Sequence, residues 1–345
     1  GILEMTQVDE LLEFLGEAIT PFHAVSAMAG RLLAAGFSEV ERFNTATMKP
    51  GFGYFMTRQG SSLIAVRAGQ SPVEAGLRLV GAHTDSPNLS VKPNPVKGRD
   101  GCVQLGVDVY GGALLNPWFD RDLAVAGRVT VLTAQDHLES VLFDSGRAVA
   151  VIPSLAIHLD REANKQRSIN PQKDVVPLVM LGEPQGFDFK VWLAERLTEK
   201  DPQWQGVRVM DYELSLYDTQ TPGLVGMDNA FVTSARLDNL LSCHAGLSAL
   251  VEADDADWSM FVATDHEEVG SASTVGAQGP MLMDALTALA PDPGMNQSLR
   301  TRSWMLSVDN AHAVHPNYSD KHDEQHNPKL GGGPVIKINR NQRYA

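Results

Sequence analysis

The chain has 345 residues, 43% of them apolar and 20% charged, the make-up of a folded globular protein rather than a disordered one. Its 28 basic and 42 acidic residues leave a formal net charge of −14. That charge repels phosphate backbones and anionic bilayers, so nucleic-acid and membrane-surface binding are excluded as general properties.

At roughly 150 residues per domain, two or three domains are expected. Gly1 to Glu4, ahead of Met5, read as an appended stretch. Residues Thr6 to Glu39 carry helical periodicity: VDELLEFLGEAI places apolar residues on one helix face, and a second helix follows Pro21. SSLIAVRA and LRLVGAH read as strands, the latter running straight into HTDSPN. From Val91 to about Met227 the pattern turns to short β-like runs, VQLGVDVY, GRVTVLT, RAVAVI and YELSLY, with one helix at VWLAERLTEK. After Pro222 it returns to α/β, with a helix at LDNLLSCHAGLSALVE and strands at SMFVATD and SWMLSVD. Ala288 to Ser298 shows no periodicity and reads as a loop. An α/β pattern interrupted by a β-rich stretch predicts one domain inserted into another, with boundaries 5–92, 93–227 and 228–345.

The longest apolar run, Ala148 to Leu159, is broken by Pro153, and the N-terminal stretch lacks the basic and apolar regions of an export signal. Cys102 and Cys243 form neither a CxxC pair nor a disulfide framework, so a reducing, cytoplasmic setting is expected.

Chemistry-bearing residues gather where strands end. LRLVGAHTD closes on His83 and Asp85, SMFVATDHEE on Asp265, His266, Glu267 and Glu268, and SWMLSVDNAH on Asp309 and His312. Open α/β sheets bind ligands at the carboxyl ends of their strands. Asp238 lies where TSARLDN enters a helix; by itself it would read as a residue stabilising that helix start. Carboxylates crowded beside a histidine repel one another unless cations neutralise them. Nitrogen and oxygen donors without thiolates suit zinc, cobalt or manganese, and two such ions bridged by an Asp would activate water at neutral pH. Asp85, two residues beyond His83 on an extended backbone, lies on the same face and can fix the imidazole tautomer. Of the two glutamates, one can ligate and the other can accept a proton; spacing does not assign them.

The motifs GAHTDSPN, SARLDNL, DHEEVGS, AHAVHPNY and KHDEQHNPKLGGGPVIK, in this order along nearly the whole chain, resemble the M18 metallopeptidases, the aspartyl aminopeptidases. The resemblance implies a zinc-peptidase α/β domain interrupted by a β-rich dimerisation domain, and removal of N-terminal Asp or Glu from peptides with two metal ions. It implies that His83 and Asp309 hold one metal and Glu268 the other, with Asp238 bridging, Glu267 as general base and Asp85 orienting His83. His158 in SLAIHLDRE matches a family histidine that reaches into a neighbouring subunit's site, within dodecamers built from dimers. Lys337, His312 and Tyr344 match candidates for binding the acidic side chain. Asn310 stands where the family pattern usually has Met. The family's last metal ligand is a His beyond the RYA stretch, and this sequence ends at Ala345; the resemblance implies that a further segment supplies that imidazole and covers the sheet edge.

Two rivals share these residues: a related two-metal aminopeptidase with another side-chain preference, and a non-catalytic or inactive truncated assembly subunit. The −14 is unevenly spread, since Thr301 to Ala345 holds six Lys and Arg against four Asp and Glu, +2 in all. The residues matched to carboxylate recognition at His312, Lys337 and Tyr344 lie in that stretch, where local charge outweighs the global field.

Overall fold

Thr6 opens the described part of the chain, residues 6–338 of a computed structural model, as a helix cap. Its hydroxyl accepts from the Asp9 amide, and the Asp9 carboxylate accepts from the Thr6 amide, a capping box ahead of α1 (Gln7–Glu17). Thr20 caps α2 (Pro21–Ala34), whose first position suits Pro21 because an N–H there has no helical partner. Next come β1 (Ser38–Glu39), β2 (Gly53–Arg58), β3 (Ser62–Arg67), the single-turn α3 (Pro72–Ala75) and β4 (Leu77–His83).

The chain then leaves this layer. Strands β5 (Asn88–Arg99), β6 (Cys102–Tyr110), β7 (Leu123–Leu132), β8 (Leu138–Asp144) and β9 (Leu178–Leu181) precede α4 (Phe189–Lys200) and β10 (Arg208–Asp218). A ribbon of β11 (Gly223–Val225) and β12 (Phe231–Thr233) leads back into α5 (Leu237–Glu252) and β13 (Trp258–Thr264). Helices α6 (Met281–Leu289) and α7 (Pro293–Arg302) and strand β14 (Trp304–Ser307) follow.

The first sheet is mixed, in the order β1-β2-β3-β13-β4-β14, with β13, β4 and β14 mutually parallel neighbours. Period-two alternation sends its side chains into two cores. Leu63, Ala65, Phe261 and Ala263 pack with Phe14, Met28 and Leu247 from α1, α2 and α5. Ile64, Val66, Met260 and Val262 pack with Leu286 and Leu299 from α6 and α7. The second sheet, β8-β7-β10-β5-β6-β9, is antiparallel throughout and has its own core, closed by Phe189, Leu193 and Leu197 of α4. The fold is thus mixed α/β with an added antiparallel sheet; every strand from β5 to β10 belongs to the second layer. Strand β5 runs across the 92/93 boundary expected from sequence.

Two local expectations are corrected. RAVAVI forms no strand, only isolated bridges from Ala150 to Leu123 and from Val151 to Leu178. Ala288 to Ser298 is largely helical, because Asp292 accepts from the Met295 amide and Pro293 takes the first position of α7. Polar residues on most of that helix hide its periodicity. Among the described residues no helix is long and apolar enough to cross a membrane.

Candidate metal centre

Parallel pairing fixes the site. Register sets His83 of β4 opposite Thr264 of β13, and the Val308 amide donates to the Gly81 carbonyl, so three strands finish at one edge. The loops leaving them carry Asp85, Glu267, Glu268 and Asp309. Asp238 arrives from the start of α5, held by the Ser86 hydroxyl donating to its carbonyl at 2.6 Å. The neighbouring Asn239 side chain donates from Nδ2 to the Val308 carbonyl at 2.9 Å, tying α5 to the end of β14. His266 takes a left-handed backbone at φ 62°, which turns the chain so that both following glutamates face back toward β4.

His83 is the hub and is 1% exposed. Its Nε2 faces Asp238 Oδ1 at 3.4 Å, Glu267 Oε2 at 3.5 Å and Asp309 Oδ1 at 3.7 Å. Its Nδ1 lies 3.1 Å from Asp85 Oδ1 and 3.0 Å from the Asp85 carbonyl. His83, Asp238 and Glu268 each offer one donor atom, all within 4.8 Å of one another. Donors about 2.1 Å from a tetrahedral zinc stand roughly 3.4 Å apart, so the spacing around Nε2 is that of ligands around a metal. The chemistry fits as well: carboxylates and imidazole converge without a thiolate.

Electrostatics follow from this crowding. Burial opposes charge on His83, yet the Asp238, Asp309 and Asp85 carboxylates around its ring together hold its pKa far above that of an ordinary imidazole. Burial and the nearby Asp238 charge push Glu268 up to about 7. Glu267 is raised, by burial first and then by Asp309, Asp85 and Asp238, with His83 acting against them. For Asp309 burial is outweighed by His83 and Lys337, which bring it down to about 2. A site that forces protons onto its own imidazole and carboxylate has the charge balance a cation corrects.

Asp85 is the most constrained carboxylate. At 1% exposure it meets His83, accepts from the Glu267 and Glu268 amides at 3.2 and 3.1 Å, and accepts from the Tyr110 hydroxyl at 2.5 Å. Tyr110 closes β6 in the second sheet, and nothing in the VQLGVDVY pattern distinguishes it from a strand-end aromatic. The next residue, Gly111, has φ +71°, and a Cβ there would stand 3.0 Å from Glu268 Cβ. Cys243 is buried, donates to the His83 carbonyl, and has its thiol pushed up to about 12 by burial, the opposite of an activated nucleophile.

The other sequence-matched residues fall differently. His312 lines, with Asp238, Arg236 and Ser86, a cavity of about 510 Å³ beside the cluster. Lys337 Nζ reaches Asp309 Oδ2 at 3.5 Å and donates to the Asn310 carbonyl at 3.0 Å. His158 is exposed in a short 3-10 turn of the second layer, and among the described residues it is not one of the clustered donors. Tyr344 lies outside the described residues. Asp265 and His266 pair with each other at 3.4 Å, and His266 Nδ1 meets Ser273 Oγ, so neither joins the donors around Nε2.

The family model for aminopeptidase I zinc metalloproteases (M18) matches residues 14–345. A probable M18 family aminopeptidase 2 from Pseudomonas aeruginosa (strain UCBPP-PA14) is 53% identical over 337 residues, covering 97% of this chain and 78% of the relative. Among solved structures, the cryo-EM structure of the Ape4 and Nbr1 complex matches with a TM-score of 0.90 and 33% identity, over 97% of this chain and 69% of that one. The S. cerevisiae mApe1 dodecamer shares the fold at a TM-score of 0.78 and 24% identity, over 93% of this chain and 75% of that one. Because the family match takes in the strand-end cluster and all but the first 13 residues, this chain belongs to the M18 zinc metalloproteases and is a metallo-aminopeptidase.

Proposed function

We propose that the chain removes N-terminal Asp and Glu from peptides, with two divalent ions and Glu267 as the proton carrier. The observation that carries the acidic preference is Lys337, whose ammonium stands 3.5 Å from Asp309 at the rim of the cluster. A substrate carboxylate approaching there would meet a cation already held by the Asn310 carbonyl. His312, lining the adjoining cavity, is a second donor within that space.

His83 and Asp309 on one side and Glu268 on the other, with Asp238 between them, would hold two zinc ions, or cobalt or manganese on the same donors, and these supply Lewis acidity and acidified water when bound. With a metal bound, Asp85 would accept from Nδ1 and leave Nε2 free to ligate. Glu267 takes the proton of the attacking water on its carboxylate and delivers it to the leaving amine. The substrate's free α-amino group sits against the surrounding carboxylates, which restricts cleavage to the first peptide bond. The antiparallel layer serves as the dimerisation module of a larger homo-oligomer, and the mApe1 dodecamer supports that reading.

Kinetics on a panel of aminoacyl chromogenic substrates test the preference. Higher kcat/KM for Asp and Glu is expected, and preference for Leu or Ala removes Lys337 from the assigned role. Glu267→Gln is expected to keep its zinc and lose about 10²- to 10⁴-fold in kcat. Turnover retained within tenfold takes Glu267 out of the proton path.

A further inference from the structure

The buried Asp85 carboxylate is gripped from two sides. One side belongs to the catalytic sheet: His83 Nδ1 and the amides of Glu267 and Glu268. The other side is the hydroxyl of Tyr110, donated at 2.5 Å to Asp85 Oδ2 from the end of β6 in the antiparallel layer. A carboxylate that accepts from several donors cannot rotate about χ2 without breaking at least one bond, and its orientation fixes the imidazole it supports. Gly111, immediately after Tyr110, brings the same strand end against Glu268, with room for no bulkier residue unless that glutamate shifts.

We propose that Tyr110 is a positioning residue of the metal centre, through which the antiparallel layer holds Asp85, and thereby His83, in ligating orientation. The layer is then a structural part of the metal site as well as an assembly module. This inference rests on the reading of His83 as a metal ligand. Tyr110 touches neither substrate nor metal; it acts only through Asp85. Removing its hydroxyl takes away one of the two donors to Asp85 Oδ2 and leaves the Glu268 amide alone on that oxygen.

The test is zinc affinity, by chelator competition on the full chain, for the unaltered protein, Tyr110→Phe, Asp85→Asn and the double variant. Tyr110→Phe is expected to weaken zinc binding about tenfold, within the range seen when outer-shell partners of metal ligands are removed. Its thermal midpoint should stay within a few degrees of the unaltered chain. In the Asp85→Asn background the same change should cost less than twofold, because the route through Asp85 is already broken. The visible spectrum of the cobalt-loaded chain gives a readout on Tyr110→Phe alone: a changed band shape or intensity is expected, which a merely structural tyrosine would not produce. Zinc affinity within twofold of the unaltered chain together with an unchanged cobalt spectrum overturns the inference, as does a tenfold loss that persists in the Asp85→Asn background. An unaltered chain that binds no zinc removes the metal reading itself and this inference with it.

Discussion

Two histidines of this chain show how neighbours decide the sense of a pKa shift. His83 is buried among carboxylates and is driven toward the charged form; His23, near the start of α2, is partly buried with Asp144 as the one carboxylate acting on it. Desolvation dominates at His23, Asp144 opposes it, Lys200 and Arg236 reinforce it, and the pKa is brought down to about 4. In the unfolded chain that imidazole titrates near its ordinary value of about 6.5. Below that pH the unfolded state binds the proton first, so the stability His23 contributes is complete above about 6.5 and is lost as pH falls toward 4. His23→Gln should therefore flatten the decline, by on the order of 2 kcal/mol between pH 7 and 4.5, as read from urea midpoints. Parallel curves for the two proteins would show that His23 is solvated. At this scale the sequence was legible where spacing implied geometry: His83 and Asp85, two apart on extended backbone, do meet. Tyr110 was not legible, because its partner lies 25 residues away, in the loop that leaves the other sheet.

Elements were readable where burial imposed a period. Helix α5 coincides with the apolar run from Leu237 to Glu252, and β4 and β13 end where their apolar runs end. Helix α7 was hidden because few of its side chains are buried, although its Asp-Pro start was present. Packing between elements was also out of sight, and Gly246 illustrates this. A Cβ there would stand 2.6 Å from the Phe261 ring and 3.1 Å from Val80 Cγ1, so the glycine is what lets α5 lie close on β13 and β4. Alanine would gain up to about 1 kcal/mol of helix propensity, but overpacking against a fully buried ring costs about 1–3 kcal/mol. Gly246→Ala should thus lower the urea midpoint. Because α5 also carries Asp238 at its start, zinc affinity should fall with it. A raised midpoint would mean that Phe261 can yield.

For the whole molecule, the alternation of α/β, β-rich and α/β pattern was enough to anticipate two layers, since each period belongs to a different way of burying a face. It could not reveal that the antiparallel layer reaches Asp85 beside the candidate metal centre through Tyr110, or what the outer surface of that layer meets. That surface is suggestive around His158, where Leu155, Ile157 and Leu159 are 61%, 48% and 74% exposed. Apolar residues flanking an exposed imidazole suit a segment that inserts into another copy. If His158 completes a neighbour's site, two defective chains can repair each other. A His158→Ala chain keeps its own Glu267 and lacks only the histidine it gives away; a Glu267→Gln chain has the reverse defect. In a mixed dimer the first chain's site receives an intact His158 from the second. Random pairing makes half of the dimers mixed, with one working site in each, so about a quarter of the unaltered activity should return on co-refolding equal amounts. Separately, each variant should be nearly inactive while retaining the native sedimentation profile. If mixing restores nothing although mixed oligomers form, His158 does not act across the interface. If His158→Ala alone is fully active, the histidine has no part in the reaction.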